Sequence, residues 1–155
     1  FTPAVLTLIF STFLLGMSEF VIVGILPDVA RSLDVSEVTV GNLVAVFAVV
    51  YAPCTPFGSS YVARFPRFAA HVALIAVFLA GNVLCAFAVG YGMLVVGRVV
   101  IAVVSGTLVA VAITYASDVT SPRNRTRFIA WVFSGFSVAS VVGVPVGTWL
   151  AGALG

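Results

Sequence analysis

Charged side chains are scarce in this chain of 155 residues, and lysine is missing altogether. Only 8% of the residues are Asp, Glu, Lys or Arg, whereas soluble domains carry about 25%. All seven basic residues are arginines, and the formal net charge is only +2. This composition excludes an ordinary water-soluble domain, and it excludes the clustered basic surface that nucleic-acid binding requires.

Histidine and cysteine are equally rare, with His71 as the single histidine. One histidine leaves no partner for a His-based catalytic triad or a metal cluster, and the sequence has no phosphate-binding P-loop. Cys54 and Cys85 fall in different apolar runs, at predicted depths about 10 Å apart, which exceeds the ~7 Å limit for a disulfide. We therefore expect no enzyme activity, no cofactor and no disulfide.

What the chain has instead is apolar sequence, with 62% hydrophobic residues and a mean hydropathy of +1.26. Short polar breaks divide it into five runs, each long enough to cross a bilayer as a helix. Ser36 before Glu37 is typical of a capped helix start. The sequence thus predicts an all-α integral membrane protein with spans at about 3–27, 38–61, 68–89, 93–117 and 128–150.

The placement of arginine predicts the orientation of these spans. The third connection has no charge, and the first has one arginine, Arg31, among three acidic residues. By the positive-inside rule, the second and fourth connections are cytoplasmic, and so is the N-terminus. Those two connections contain Arg64, Arg67 and His71, and Arg123, Arg125 and Arg127.

Glu19 is the only one of the five acidic residues that lies inside an apolar run. An ionisable group in a bilayer is costly, and by default it faces a helix bundle or a wet cavity and marks a functional site. Arg98 lies in the fourth run at nearly the same predicted depth. The two side chains are therefore candidates for a coupled pair, with Glu19 as its protonatable member. The alternatives are a static buried ion pair and an arginine that snorkels to the headgroups.

Two further features lie within the spans. Asn82 is a third polar group in the outer half of the membrane; it is a candidate substrate contact, or it joins two helices by a hydrogen bond. The fifth run carries a stripe of small residues with Pro145 inside it, which predicts a bent helix and either a moving interface or a tight static contact. The stripe consists of Gly135, Ala139, Gly143, Gly147 and Ala151.

Three motifs resemble those of bacterial drug:proton antiporters of the twelve-span type in the major facilitator superfamily, such as arabinose-efflux-like and chloramphenicol-exporter-like members. Ser18-Glu19-Phe20-Val21-Ile22-Val23-Gly24 is similar to the first-span signature of that group. Arg98 with Gly106 is similar to the fourth-span motif, and Gly143-Val144-Pro145-Val146-Gly147 to the fifth-span motif associated with export.

The family's motif between spans two and three is only partly present. Its glycine is matched, but Val62 stands where the family has an aspartate. In the family, this motif supplies a network of charges that gates the cytoplasmic side. The resemblance assigns to that network Gly58, Arg64, Arg67, Asp118 and Arg127.

The resemblance implies a proton-coupled exporter of a small organic compound, working by alternating access in a bacterial inner membrane. It implies that the chain forms most of an N-terminal six-helix bundle, as a fragment that needs a C-terminal bundle for transport. Membrane lipid, a small-molecule substrate and the proton gradient are the expected partners. Two other functions remain open: a non-transporting scaffold or assembly module with a structural Glu19–Arg98 pair, and an uncoupled or uptake facilitator.

Overall fold

The computed structural model describes residues 3–154, and within them it has six α-helices and no strand. Five of the helices are long and apolar enough to cross a membrane, since even 20 residues of helix span about 30 Å. The predicted class, an all-α membrane protein with about five spans, is confirmed. The helices are α1 (Pro3–Gly24), α2 (Leu26–Ser32), α3 (Glu37–Val62), α4 (Arg67–Ala86), α5 (Tyr91–Asp118) and α6 (Arg125–Leu154).

The start of α3 is capped as the sequence predicts. Asp34, between α2 and α3, adopts a left-handed backbone conformation with φ of 52°. The hydroxyl of Ser36 then accepts a hydrogen bond from the backbone N–H of Thr39 at 3.1 Å, and Glu37 follows as the first helical residue. This side chain thus satisfies one of the unpaired N–H groups of the first helical turn.

The first span ends earlier than the sequence predicts. Helix α1 stops at Gly24, and Pro27, the predicted end of the span, lies in the separate short helix α2. Proline has no N–H to donate and is favoured in the first turn of a helix, so it suits the start of α2 rather than the end of α1. In α2, Arg31 pairs with Asp28 at the surface.

The chain divides into two compact units. The first combines the residues up to Leu26 with those from Ala112 onward, and it contains α1 and α6. These two helices run parallel, because successive contacts advance together along both, from Gly135 beside Ile9 to Gly147 beside Val21. A buried cluster adds the end of α5 to their core: Leu8, Ala112, Ala116 and Val132.

The second unit, Pro27–Val111, contains α3, α4 and most of α5. Helices α3 and α5 also run parallel, starting where the Tyr91 hydroxyl donates a hydrogen bond to the Thr39 carbonyl at 2.9 Å. Helix α4 runs antiparallel to α5, with Gly81 close to Ile101. Of an 18-residue stretch of α5, 61% is buried, against 17–33% in the other long helices.

Candidate functional site

Glu19 lies in the second half of α1, five residues before the helix ends. Its side chain is partly buried, and one carboxylate oxygen, Oε2, is shielded from solvent. At a rise of ~1.5 Å per residue, Glu19 is about 8 Å from the end of α1. A carboxyl group at this depth can be charged or neutral, and the charges around it decide the balance between the two forms.

Close packing against α6 holds α1 in place on both sides of Glu19. A methyl group on Gly16 would lie 2.6 Å from Cβ of Ala139. One residue after Glu19, the ring of Phe20 packs edge-on against Phe136, with centroids 5.7 Å apart. Glu19 therefore lies in a part of α1 that is closely packed against α6.

The small-residue stripe of α6 is the surface that makes this contact. Substituents on Gly135 and Gly147 would lie 2.5 Å and 2.6 Å from the carbonyl oxygens of Ile9 and Val21. Two threonine hydroxyls also bridge the helices by donating hydrogen bonds: Thr12 to Val132 O at 2.7 Å, and Thr148 to Gly24 O at 3.4 Å. The structure thus has the tight helix contact that was one alternative, and movement at this interface stays a prediction.

Pro145 lies inside α6, which runs as one helix from Arg125 to Leu154. It stands between Gly143, which faces Phe20, and Gly147. The missing N–H at Pro145 removes one hydrogen bond from α6. The bend predicted there, and its part in export, stay predictions.

Arg98 lies in α5 of the second unit and is only 3% exposed. Its guanidinium carbon is 4.7 Å from the centroid of the Phe47 ring on α3, which is the geometry of a cation–π contact. Phe47 in turn stacks on Tyr51 at 5.7 Å between centroids. A buried arginine held over a ring argues against the snorkelling alternative, because a snorkelling side chain would be exposed at the surface.

The other predicted residues of the second unit lie along α3 and α4. The Asn82 amide donates a hydrogen bond from Nδ2 to the Phe78 carbonyl at 2.8 Å, one turn earlier in its own helix. Gly58 packs against the Thr107 side chain on α5, and any β-carbon at Gly58 would collide with it. Gly58 thus has a packing role, whether or not it also takes part in gating. Substrate contact by Asn82 stays a prediction.

The remaining residues assigned to the gating network lie at the ends of helices. Arg64 and Asp118 are exposed, and Arg67 is partly buried at the start of α4. Arg127 is exposed in the first turn of α6, and its side chain has no ion pair or hydrogen bond with any residue in 3–154. The gating role of these residues stays a prediction.

Glu19 and Arg98 belong to different units, Glu19 to the first and Arg98 to the second. Each is held within its own unit by the contacts described above. Their pairing stays a prediction.

Sequence reasoning missed the residues that support Arg98 and α5. Phe47 is one of 13 phenylalanines, and nothing in its local sequence distinguishes it. Gly106 packs against Thr55 just as Gly58 packs against Thr107. The parallel pairing of α3 and α5 places positions about 51 residues apart side by side, as with 47 and 98 or 55 and 106. That offset comes from packing and has no signal in a single sequence.

Comparison with known proteins identifies the family of this chain. A model of the Major Facilitator Superfamily matches residues 8–155. The chain belongs to the Major Facilitator Superfamily. The predicted resemblance is confirmed at the level of the family, and the five apolar helices fit a multi-pass membrane protein.

Several relatives in this superfamily match almost all of the chain. The MFS-type transporter YbcL of Bacillus subtilis is 35% identical over 93% of the chain and 37% of its own length. The chloramphenicol resistance protein of Streptomyces lividans is 34% identical over 88% of the chain and 36% of its own length. A chloramphenicol efflux pump of Mycobacterium tuberculosis is 33% identical over 88% of the chain and 33% of its own length. The chain thus spans about a third of the length of these relatives.

Proposed function

We propose that this chain is part of a proton-coupled exporter of a small organic compound, acting by alternating access in a bacterial inner membrane. The observation that carries the proposal is Glu19: a partly buried carboxyl group in the second half of a membrane-spanning helix. In folds of this kind, two helix bundles move around a site near the middle of the membrane. A protonatable group there lets proton and substrate compete for the same transporter.

The direction of transport rests on two further observations. The sequence around Pro145 resembles the export motif, and it lies in α6 directly against α1, the helix that contains Glu19. Two relatives are named for chloramphenicol resistance and chloramphenicol efflux. Chloramphenicol and similarly uncharged aromatic compounds are therefore the first substrates to test. Transport requires helices beyond those of this chain, as alternating access needs a second bundle.

The decisive experiment replaces Glu19 by Gln in the full-length gene product. Everted membrane vesicles are given an imposed pH gradient, and uptake of radiolabelled chloramphenicol, which corresponds to export from the cell, is followed. We expect Glu19→Gln to abolish pH-driven transport, because a glutamine cannot take up or release the proton. The exposed carboxylate Glu37 provides the matched control, and Glu37→Gln is expected to transport normally.

The same measurement separates the alternatives. Undiminished pH-driven transport by Glu19→Gln would remove Glu19 from the coupling mechanism. If the transport rate of the natural protein does not depend on the pH gradient, the protein is an uncoupled facilitator. A natural protein that neither transports nor gains thermal stability with any compound of a substrate panel would favour the scaffold.

A further inference from the structure

A groove of about 410 Å³ lies on the first unit, between the first half of α1 and the first half of α6. Its volume is in the range of about 300–1,000 Å³ that ligand pockets usually have. Its walls are almost wholly apolar, and the large aromatic side chains among them are Phe10, Phe13 and Trp131, with Gly135 where α1 and α6 lie in close contact. Phe10 and Trp131 are 60% and 43% exposed. The groove is therefore open to whatever surrounds these helices.

One end of the groove leads to an arginine. Arg127 precedes Trp131 by four residues, or about 6 Å along α6, so the two side chains lie on the same face of the helix. Gly135 and Val138 continue that face along the groove. Arg125 lies two residues earlier and points to the other side of α6 by the same geometry.

The charge at this end is positive and is not neutralised by the described part of the chain. Arg123, Arg125 and Arg127 are all exposed, and none forms an ion pair or a side-chain hydrogen bond within residues 3–154. The first unit contains only two carboxylates, Glu19 far along α1 and Asp118 at the end of α5. A ligand that fits both the groove and its mouth is thus apolar along its length and anionic at one end.

We propose that this groove binds an anionic phospholipid, with an acyl chain between Phe10 and Trp131 and the phosphate on Arg127. Basic sites between membrane helices on the cytoplasmic side recognise such headgroups, and the arginine-rich side of this chain is the predicted cytoplasmic side. An arginine fork holds a phosphate by two hydrogen bonds. The site is separate from Glu19 and does not depend on the direction or coupling of transport.

Trp131 is a natural reporter of this lipid, because bromine atoms on an acyl chain quench tryptophan fluorescence on contact. The experiment uses the full-length gene product in phosphatidylcholine vesicles, with Trp131 kept as the only tryptophan. Brominated phosphatidylglycerol or brominated phosphatidylcholine is then added at equal mole fractions. We expect the anionic lipid to compete about five-fold better for the site, the effect of one surface arginine.

Matched variants locate the headgroup. Arg127→Gln is expected to remove the preference for phosphatidylglycerol, Arg127→Lys to keep most of it, and Arg125→Gln to leave it unchanged. A second reporter protein keeps Trp149 instead, which is 70% exposed on the same helix and about 27 Å away along it. Both brominated lipids should quench Trp149 equally.

Three results would overturn the proposal. Equal quenching of Trp131 by both lipids would mean ordinary bilayer contact without a headgroup site. Absence of quenching by either lipid would mean that another part of the protein covers the groove. A preference that survives Arg127→Gln would place the headgroup elsewhere. None of these results bears on pH-driven transport, so this proposal and the proposed function fail independently.

Discussion

Arg98 lies on a membrane-spanning helix, and its permanently charged side chain is almost completely buried. Burial of an unsupported charge is strongly unfavourable, so the groups around it determine what it can do. The structure supplies one of them in Phe47, whose ring faces the guanidinium and is itself 4% exposed. Phe47 is thus a positioning residue for Arg98. Position 47 itself belongs to none of the family motifs found in the sequence.

Phe47→Leu is expected to destabilise the protein by roughly 2 kcal/mol, the value of a desolvated cation–π contact. Thermal unfolding of the full-length protein in detergent measures the change. Phe57→Leu is the matched control, because Phe57 lies on the same helix but is 77% exposed, and it should be nearly neutral.

Loss of the large ring also leaves a cavity, so the contact itself is isolated by a double-mutant cycle with Arg98→Met. We expect the two single changes to couple, with the double variant losing less stability than their sum. Additive losses would show that Phe47 only fills space and does not hold the charge.

At the scale of helices, the same kind of close helix contact occurs in both units. Glycines let parallel helices approach until side chain meets backbone, as for α1 with α6 or α3 with α5. Threonine hydroxyls lie in or beside these contacts, and that of Thr12 crosses from α1 to α6. Membrane helices associate by such close packing because the lipid offers no hydrophobic driving force between them.

Gly147→Ala is expected to lower the stability of the protein by about 1–3 kcal/mol, the usual penalty for overpacking. Its new methyl group would lie 2.6 Å from the Val21 carbonyl oxygen, which belongs to the backbone and cannot rotate away. The midpoint of thermal unfolding measures this loss.

Gly152→Ala on the same helix is the control, since a methyl group there meets nothing within 4 Å. It should be neutral or stabilising by about 0.5–1 kcal/mol, because alanine is the better helix former. Equal effects of the two changes would mean that α1 and α6 are not packed as described in the folded protein.

For the whole molecule, the arginine distribution predicts which ends of the helices face the cytoplasm. A single cysteine placed at Ser121, in the connection before α6, should react with a membrane-impermeant thiol reagent only from the cytoplasmic side. A cysteine at Gly92, at the start of α5, should react only from outside, and the structure has room for it there. Cys54 and Cys85, which form no disulfide, are replaced by alanine in both proteins.

Labelling of intact cells and of everted vesicles compares the two sides. The reversed labelling pattern would mean that the topology is inverted. The proposed lipid site beside Arg127 would then lie in the outer leaflet. Reaction of both positions from the same side would contradict the five-span arrangement itself.

Much of the fold followed from composition and spacing, because a bilayer permits few structures. Apolar runs of this length must form helices to satisfy their backbone hydrogen bonds, and residues 3–154 contain five such helices. The start of α3 could be predicted because helix capping involves only neighbouring residues, and Ser36 is the capping residue. Helix α1 ends at Gly24, slightly before the approximate end of the first span at residue 27, since apolar character continues past Gly24 while the helix does not.

For the candidate site, too, the sequence identified some residues and only the tertiary structure identified the others. Glu19 and Arg98 stand out in the sequence because a charge in a membrane span is costly wherever it lies. That Phe47 lies under Arg98, that the glycine stripe of α6 meets α1, and that Phe10 and Trp131 line one apolar groove are consequences of which helices pair and in what register. These contacts join residues about 50 or 125 positions apart, and only packing in three dimensions selects them.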